Sequence, residues 1–205
     1  NAEANELKSI DLKDMPVLDS LNLSYNPVLE KFNLAKAAKW LNISNSFVDD
    51  AAFDEAVTSA AHSTLIADNL TGPAEISISA TPAGSPSYIS MKNSGKQLTI
   101  LNCHSDELVF GGKSLKFNSD KVSIKSRSCY VGKIVLDSKD EPVELIFTTA
   151  DMALMWINKW VDNNKGAKFT MTVNTGNSEV DTKFNNQLNL VNSVTMNGGV
   201  NITSE

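Results

Sequence analysis

Residues 71–102, TGPAEISISATPAGSPSYISMKNSGKQLTILN, mark the point at which the periodicity of the chain changes. Before Gly72 the apolar residues recur at the three- and four-residue spacing of helices, and after it they alternate with polar residues. The later runs are short, rich in β-branched residues and separated by Gly, Pro, Asn and Asp, which is typical of strands joined by tight turns. We find no internal repeat. The pattern predicts helices first and an antiparallel sheet afterwards.

The predicted fold class is α+β, with an N-terminal arm and helical hairpin followed by an antiparallel β-sandwich or barrel with one flanking helix. Residues 1–27 are irregular and partly acidic, so we expect an extended arm there. Residues 28–72 carry two segments with apolar residues at helical spacing, which predicts the hairpin. Residues 73–205 are predicted to form the antiparallel β domain, and its flanking helix is expected at 149–163.

The flanking helix lies in FTTADMALMWINKWVDNNKG, residues 147–166, which contains two of the three tryptophans of the chain. Trp156 and Trp160 fall in the middle of a wide apolar arc, so we expect both to lie in the core. The flanks of the arc offer a surface for a neighbouring subunit, because Met and aromatic residues are enriched at interfaces. The candidate subunit interface is Leu154, Met155 and Val161.

Composition excludes several classes of function. The net charge of −6 and the single arginine, Arg127, argue against a protein that binds nucleic acid directly, because such proteins neutralise phosphates with a surplus of Lys and Arg. No run of 18 apolar residues occurs, so no membrane-spanning helix is predicted. The chain has two cysteines, Cys103 and Cys129, both in strand-like segments. They form either a cross-strand disulfide or two buried thiols of a reducing compartment, and the sequence leaves both open.

Two short motifs contain residue types that occur in phosphate-binding or metal-binding sites. FGGKS, residues 110–114, is similar to the end of a phosphate-binding loop, but it lacks the required first glycine and is explained by a turn between strands. NCHSDE, residues 102–107, gathers four potential metal ligands, yet the rest of the chain supplies only one other His and one other Cys. We therefore predict no catalytic residues, no metal site and no cofactor, and we expect a protein that is not an enzyme.

Two families share part of the pattern. VELIFTTADMALMWINKW, residues 143–160, resembles the close of a pleckstrin-homology domain, with Trp156 at the position of the helix tryptophan. The order strand, helix, strand, strand over residues 142–203 is similar to phage tail-tube proteins. That resemblance implies an antiparallel sandwich or barrel with one helix, in subunits that form rings.

The resemblance to tail-tube proteins implies a non-enzymatic structural or assembly protein, a phage virion component present in repeated copies. Its expected partners are further copies of the chain and other virion proteins, and its expected location is the virion. The alternative is a monomeric binding module, similar to a pleckstrin-homology domain or to a periplasmic protein, located in the periplasm or secreted. The particle size of the native protein distinguishes the two.

Overall fold

The computed structural model describes residues 1–15, 18–34, 38–59, 63–79, 86–118, 129–138, 141–173 and 199–200. These residues form thirteen strands and two α-helices. The strands are β1 (Ser9–Leu12), β2 (Ser20–Asn22), β3 (Lys31–Leu34), β4 (Trp40–Asn42), β5 (Thr64–Ile66), β6 (Glu75–Ser79), β7 (Tyr88–Met91), β8 (Gln97–Phe110), β9 (Ser114–Phe117), β10 (Cys129–Leu136), β11 (Val143–Phe147), β12 (Phe169–Val173) and β13 (Gly199–Val200). The helices are α1 (Asp50–Ser59) and α2 (Ala150–Met155).

All pairings between these strands are parallel, so the predicted antiparallel sandwich or barrel is wrong. β1 and β3 form a two-stranded sheet, and the other strands form a single larger sheet. The first and second halves of the long strand β8 pair with different neighbours, so the larger sheet consists of two rows of strands that meet in β8. The first row of this sheet is β2, β4, β5, β7, the second half of β8, and β10. The second row is β6, the first half of β8, β9, β11, β12 and β13. The fold is therefore α/β-like and built on parallel strands.

The chain moves between the rows as it advances, so each new coil lies against the one before it. Parallel register places equivalent side chains of neighbouring coils on top of one another. The first column of buried side chains is Leu21, Leu41, Leu65, Ile89, Leu108 and Ile134, and the second is Leu23, Ile43, Ala67, Met91, Phe110 and Leu136. Such stacking is the arrangement of a solenoid, in which each coil buries its apolar side chains against its neighbours.

The coils also show that the chain does contain a repeat, so that prediction is wrong as well. β2, β4, β5 and β7 begin at residues 20, 40, 64 and 88, which are offsets of 20 to 24 residues. In the coil that contains β2, Leu18, Leu21, Leu23 and Asn26 follow the spacing that leucine-rich repeats use. In the coils of β4 and β7, Ser46 and Ser94 occupy the position of Asn26. The repeat is therefore difficult to recognise in the sequence.

The described residues of the range 28–72 do not form the predicted helical hairpin. The first half of this range contains β3 and β4, and the second half contains α1 followed by β5. Leu29 and Leu41 are buried, whereas Val28 is 37% exposed, so these residues do not form one face of a helix. The spacing of these apolar residues resembles that of a helix because the chain turns corners between the rows. After each corner the alternation of buried and exposed side chains starts again.

Candidate functional site

A helical segment does lie at residues 150–164, close to the predicted 149–163. α2 begins after its N-cap Thr149, whose Oγ1 accepts a hydrogen bond from the Met152 N–H. The helix then widens into a π-helical turn at Trp156–Trp160 and tightens into a 3₁₀ turn at Val161–Asn164. Trp156 and Trp160 are fully buried, which confirms the prediction that both lie in the core.

This segment covers the outer edge of β10, the last strand of the first row. The indole Nε1–H of Trp160 donates to the Val131 carbonyl at 3.0 Å. Asn164 Nδ2 donates to the Ile134 carbonyl at 2.8 Å, and its Oδ1 accepts from the Leu136 N–H at 2.7 Å. Side chains thus make the hydrogen bonds that a next strand would make, and β10 cannot pair with another chain there.

The predicted subunit interface lies on the same segment. Leu154, Met155 and Val161 are half-buried and pack against the edge of the core. Each of them therefore has a remaining exposed surface beside the fully buried tryptophans. Their contact with another subunit stays a prediction.

The edge of β6, the first strand of the second row, is covered in a similar way. α1 lies beside β6, and the Asp50 carboxylate accepts from the Ser77 N–H at 2.6 Å. One turn later the Asp54 carboxylate accepts from the Ser79 N–H at 3.2 Å. Two acidic side chains of a helix therefore occupy the edge of β6, which again protects it from pairing.

The N-terminal coil lacks such protection. In the described part of the chain, β1 pairs with β3 on one edge and with no strand on the other. Ile10 and Leu12 are only half-buried, whereas the core positions of the later coils are closed to solvent. Of the four large hydrophobic side chains that are exposed among the described residues, three lie within the first 28 residues, and they are Met15, Tyr25 and Val28.

Tyr25 also has an unusual backbone conformation. Each of five successive coils has one corner residue in the left-handed region, with φ between 49° and 58°. The five are Ala4, Tyr25, Asn45, Asn69 and Asn93. Asparagine adopts this region more readily than other L-residues do, because its short side chain can hydrogen-bond locally. The left-handed conformation therefore has a higher conformational free energy for Tyr25 than for Asn45.

We expect Tyr25→Asn to raise the free energy of unfolding by about 1 kcal/mol, since asparagine relieves the left-handed strain. The reverse exchange one coil later, Asn45→Tyr, is the matched control and should lower it by a similar amount. Urea unfolding followed by circular dichroism measures both. A stabilised Asn45→Tyr variant would show that the corner conformation does not set the preference.

The FGGKS motif forms a tight corner between β8 and β9. The N–H groups of Gly111, Lys113 and Ser114 donate to the carbonyls of Met91 and Lys96, so they are not available to a phosphate. A Cβ on Gly112 would lie 2.6 Å from the Lys96 carbonyl oxygen, which explains why glycine occupies this position. This geometry is that of a corner in the coil rather than that of a phosphate-binding loop.

Lys96 lies beneath the same corner and is 3% exposed. Its ammonium group donates a hydrogen bond to the Pro73 carbonyl. Burial removes water from the ammonium, and this lowers the pKa of Lys96 below its ordinary value of 10.5. The folded chain therefore releases the proton at a lower pH than the unfolded chain does.

This difference predicts how stability depends on pH. Between the folded-state pKa and 10.5 the unfolded chain binds more protons than the folded chain, so the stability contributed at Lys96 rises with pH and is lost as pH falls through the folded-state pKa. Urea unfolding of the native chain and of Lys96→Met, from pH 7 to 10.5, should show the native chain gaining relative to the variant. Parallel curves would contradict a lowered pKa.

The NCHSDE motif lies in β8. Among the described residues no group of three or more His, Cys, Asp and Glu side chains is placed to hold a metal ion. The strand register pairs Cys103 with Cys129 of β10, and neighbouring strands place Cα atoms within the range that a disulfide needs. The side chain of Cys129 lies outside the described residues, so the disulfide stays a prediction.

No family model, curated protein or solved structure matches this chain. Within the described residues, no helix has the length and apolar character needed to cross a membrane.

Proposed function

We propose that this chain is a non-enzymatic structural or assembly protein that works as repeated copies, and that its setting is a phage virion. The observation that carries the proposal is the contrast between protected and unprotected strand edges. β6 and β10 are covered by side chains of helical segments, whereas β1 has an unpaired edge among the described residues. An open edge with apolar side chains beside it is a site for pairing with another chain.

The exposed apolar side chains support the same end of the molecule as the contact surface. Met15 is 46% exposed, Tyr25 54% and Val28 37%, and all three belong to the first two coils. Large exposed apolar groups that gather in one region are typical of surfaces that another protein covers. We infer that the N-terminal coil is the surface through which copies of this chain associate.

Parallel strands change the basis of the virion proposal. The similarity to tail-tube proteins implies an antiparallel sandwich, whereas the described strands pair in parallel. The proposal now depends on the open N-terminal end, and the virion and its other proteins are its proposed setting. Residues 1–27 contribute β1, β2 and two buried leucines, Leu21 and Leu23, so their removal would expose the core rather than delete a separate arm.

Point substitutions therefore test the proposal better than a truncation. Sedimentation velocity of the native chain over a hundredfold range of concentration should show larger species at the higher concentrations. Val28→Glu and Met15→Glu should reduce that association. Leu101→Glu is the matched control, because Leu101 is exposed to the same 37% as Val28 but lies in β8. A native chain that stays monomeric throughout would favour the alternative, a monomeric binding module.

A further inference from the structure

A groove of about 490 Å³ lies between the two-stranded sheet and α1. Residues of β1 and β3 form one side of it, and the first turns of α1 form the other. α1 occupies the place that a third strand would take after β1 and β3, since it contacts β3 on one side and β6 on the other. A helix cannot continue a strand ladder, so the regular pairing of this sheet stops at β3.

The edge of β3 that faces α1 has no strand partner in the described part of the chain. The two carboxylates of α1 that bond to a strand, those of Asp50 and Asp54, bond to β6. β3 therefore has one edge paired to β1 and the other covered by α1, and the groove runs beside side chains of all three elements. An extended segment that binds in this groove would contact the side chains of β1, β3 and α1 that line it, and these contacts would set its specificity.

The charge of the groove indicates what kind of segment fits. Four acidic residues line it, Asp11, Glu30, Asp49 and Glu55, against one lysine, Lys31. Asp49 Oδ1 accepts from the Ala52 N–H and Asp11 Oδ1 from the Lys13 N–H, so these two are held by their own backbone. Glu30 is exposed. A surplus of carboxylates favours a segment that carries Lys and Arg.

The same chain contains a segment of that description. Residues 1–59 hold ten Asp and Glu but five Lys, whereas residues 96–138 hold seven Lys and Arg but four Asp and Glu. Within the basic region, the alternate positions of KVSIKSR at 121–127 are Lys121, Ser123, Lys125 and Arg127, and three of these four are basic. Alternate positions of an extended segment share one face. Residues 121–127 lie outside the described part of the chain, and their sequence alone supplies the match.

We propose that the groove between β3 and α1 binds the basic segment 121–127 of a second copy of this chain. The inference rests on the proposed function and adds a second contact between the copies, next to the N-terminal coil. The groove and the basic segment are different parts of the chain, so a contact that the same neighbour does not return is heterologous and leaves each copy one groove and one segment for further neighbours. Such contacts build rings or filaments.

The first experiment measures peptide binding to the groove and does not require the chain to associate. A labelled peptide of residues 119–129 is titrated into the full chain, with binding followed by fluorescence anisotropy. We expect saturable binding that weakens about tenfold between 50 and 500 mM salt, because exposed charges are screened. Glu30→Lys should weaken it about fivefold or more, as reversal of a contacting charge does. Glu141→Lys is the matched control, because Glu141 is exposed and outside the groove, and should bind as the native chain does.

The contact between copies is tested by exchanging charges. Glu30→Lys should weaken association in sedimentation velocity, and so should the triple variant Lys121→Glu, Lys125→Glu, Arg127→Glu. An equimolar mixture should associate better than either variant alone, because the reversed groove then meets the reversed segment. Restoration by mixing is a result that general misfolding does not produce.

The outcomes separate this inference from the proposed function. If neither charge reversal weakens association, the inference is overturned, and the proposal that the chain works as repeated copies is retained. A monomer that binds the peptide overturns the proposed function and retains the groove as a site for basic segments. If the native chain is monomeric and binds the peptide only after the triple substitution, the segment occupies its own groove, and the second copy is overturned as the occupant.

Discussion

Replacing Trp160 with alanine is expected to lower the free energy of unfolding by about 4 kcal/mol, the largest effect of any single substitution proposed for this chain. The Trp160 ring stacks on Phe117 with centroids 5.9 Å apart and lies 6.1 Å from the ring of Trp156. Its Nε1–H also bonds to the Val131 carbonyl. Alanine would leave a cavity between the second row and the covering segment, and it would leave that carbonyl without its partner.

Trp160→Phe separates the two contributions. Phenylalanine keeps most of the ring packing and removes the hydrogen bond, so it should cost about 1 to 2 kcal/mol. Met155→Ala serves as a control on the same segment, because Met155 is half-buried and should cost less than the alanine variant of Trp160. Urea unfolding monitored by far-ultraviolet circular dichroism avoids the loss of tryptophan fluorescence. A Trp160→Ala cost below 1 kcal/mol would mean that the segment is only loosely attached.

The position of this segment was predictable because its signals are local. A threonine cap, an apolar stripe with Trp156 and Trp160, and a glycine at 166 mark a helix without reference to the rest of the chain. Its path was not predictable. The Val161 N–H donates to the Trp156 carbonyl, five residues back, so the helix widens there. That widening accompanies the contacts of Trp160 and Asn164 with β10, and the sequence does not reveal which strand they meet.

Strand direction was the main error, and it has a physical cause. Side chains alternate along parallel and antiparallel strands alike, so a period of two does not distinguish them. The deciding information lies in the connections. The Gly111–Gly112 pair reads as a hairpin turn, but the chain makes a corner there and continues to the other row, where Ser114 pairs with Gln97 in parallel.

The repeat had a usable signal in the corner residues. Asn45, Asn69 and Asn93 are 24 residues apart, and all three take the left-handed conformation. Tyr25 and Ala4 occupy the same position in the first two coils, where they conceal the pattern. An asparagine at a fixed interval, each time two residues after an apolar residue that proves to be buried, would have indicated stacked coils.

The groove illustrates what a single sequence cannot supply. α1 was predicted as a helix, and the acidic character of the N-terminal half is visible in the composition. The site itself exists because α1 falls where a strand would continue the sheet of β1 and β3. This placement depends on the coil register, so Glu30 and Asp49 meet at one groove only in the folded chain.

The second large effect is expected at Asn26, which is fully buried in the corner of the coil that contains β2. Its Nδ2 donates to the carbonyls of Ala2 at 2.9 Å and Leu23 at 2.8 Å, and its Oδ1 accepts from the Leu7 N–H at 3.2 Å. One side chain thus joins the first residues of the chain to the coil that contains β2. Asn26→Ala removes these bonds, deprives the Ala2 carbonyl and the Leu7 N–H of this partner, and should cost about 3 kcal/mol.

The loss should be local as well as large, because Ala2 and Leu7 have Asn26 as a shared partner. Hydrogen exchange should accelerate at Leu7 and around β1, while the β8 and β10 amides keep their protection. Ser46→Ala is the control: Ser46 Oγ accepts from the Asn26 N–H at 3.1 Å, so its loss should cost about 1 kcal/mol and leave β1 protected. Uniform acceleration in Asn26→Ala would contradict a local role. If the N-terminal coil joins the copies, the variant should also associate less, since the surface that carries Ile10 and Leu12 would no longer be held in place.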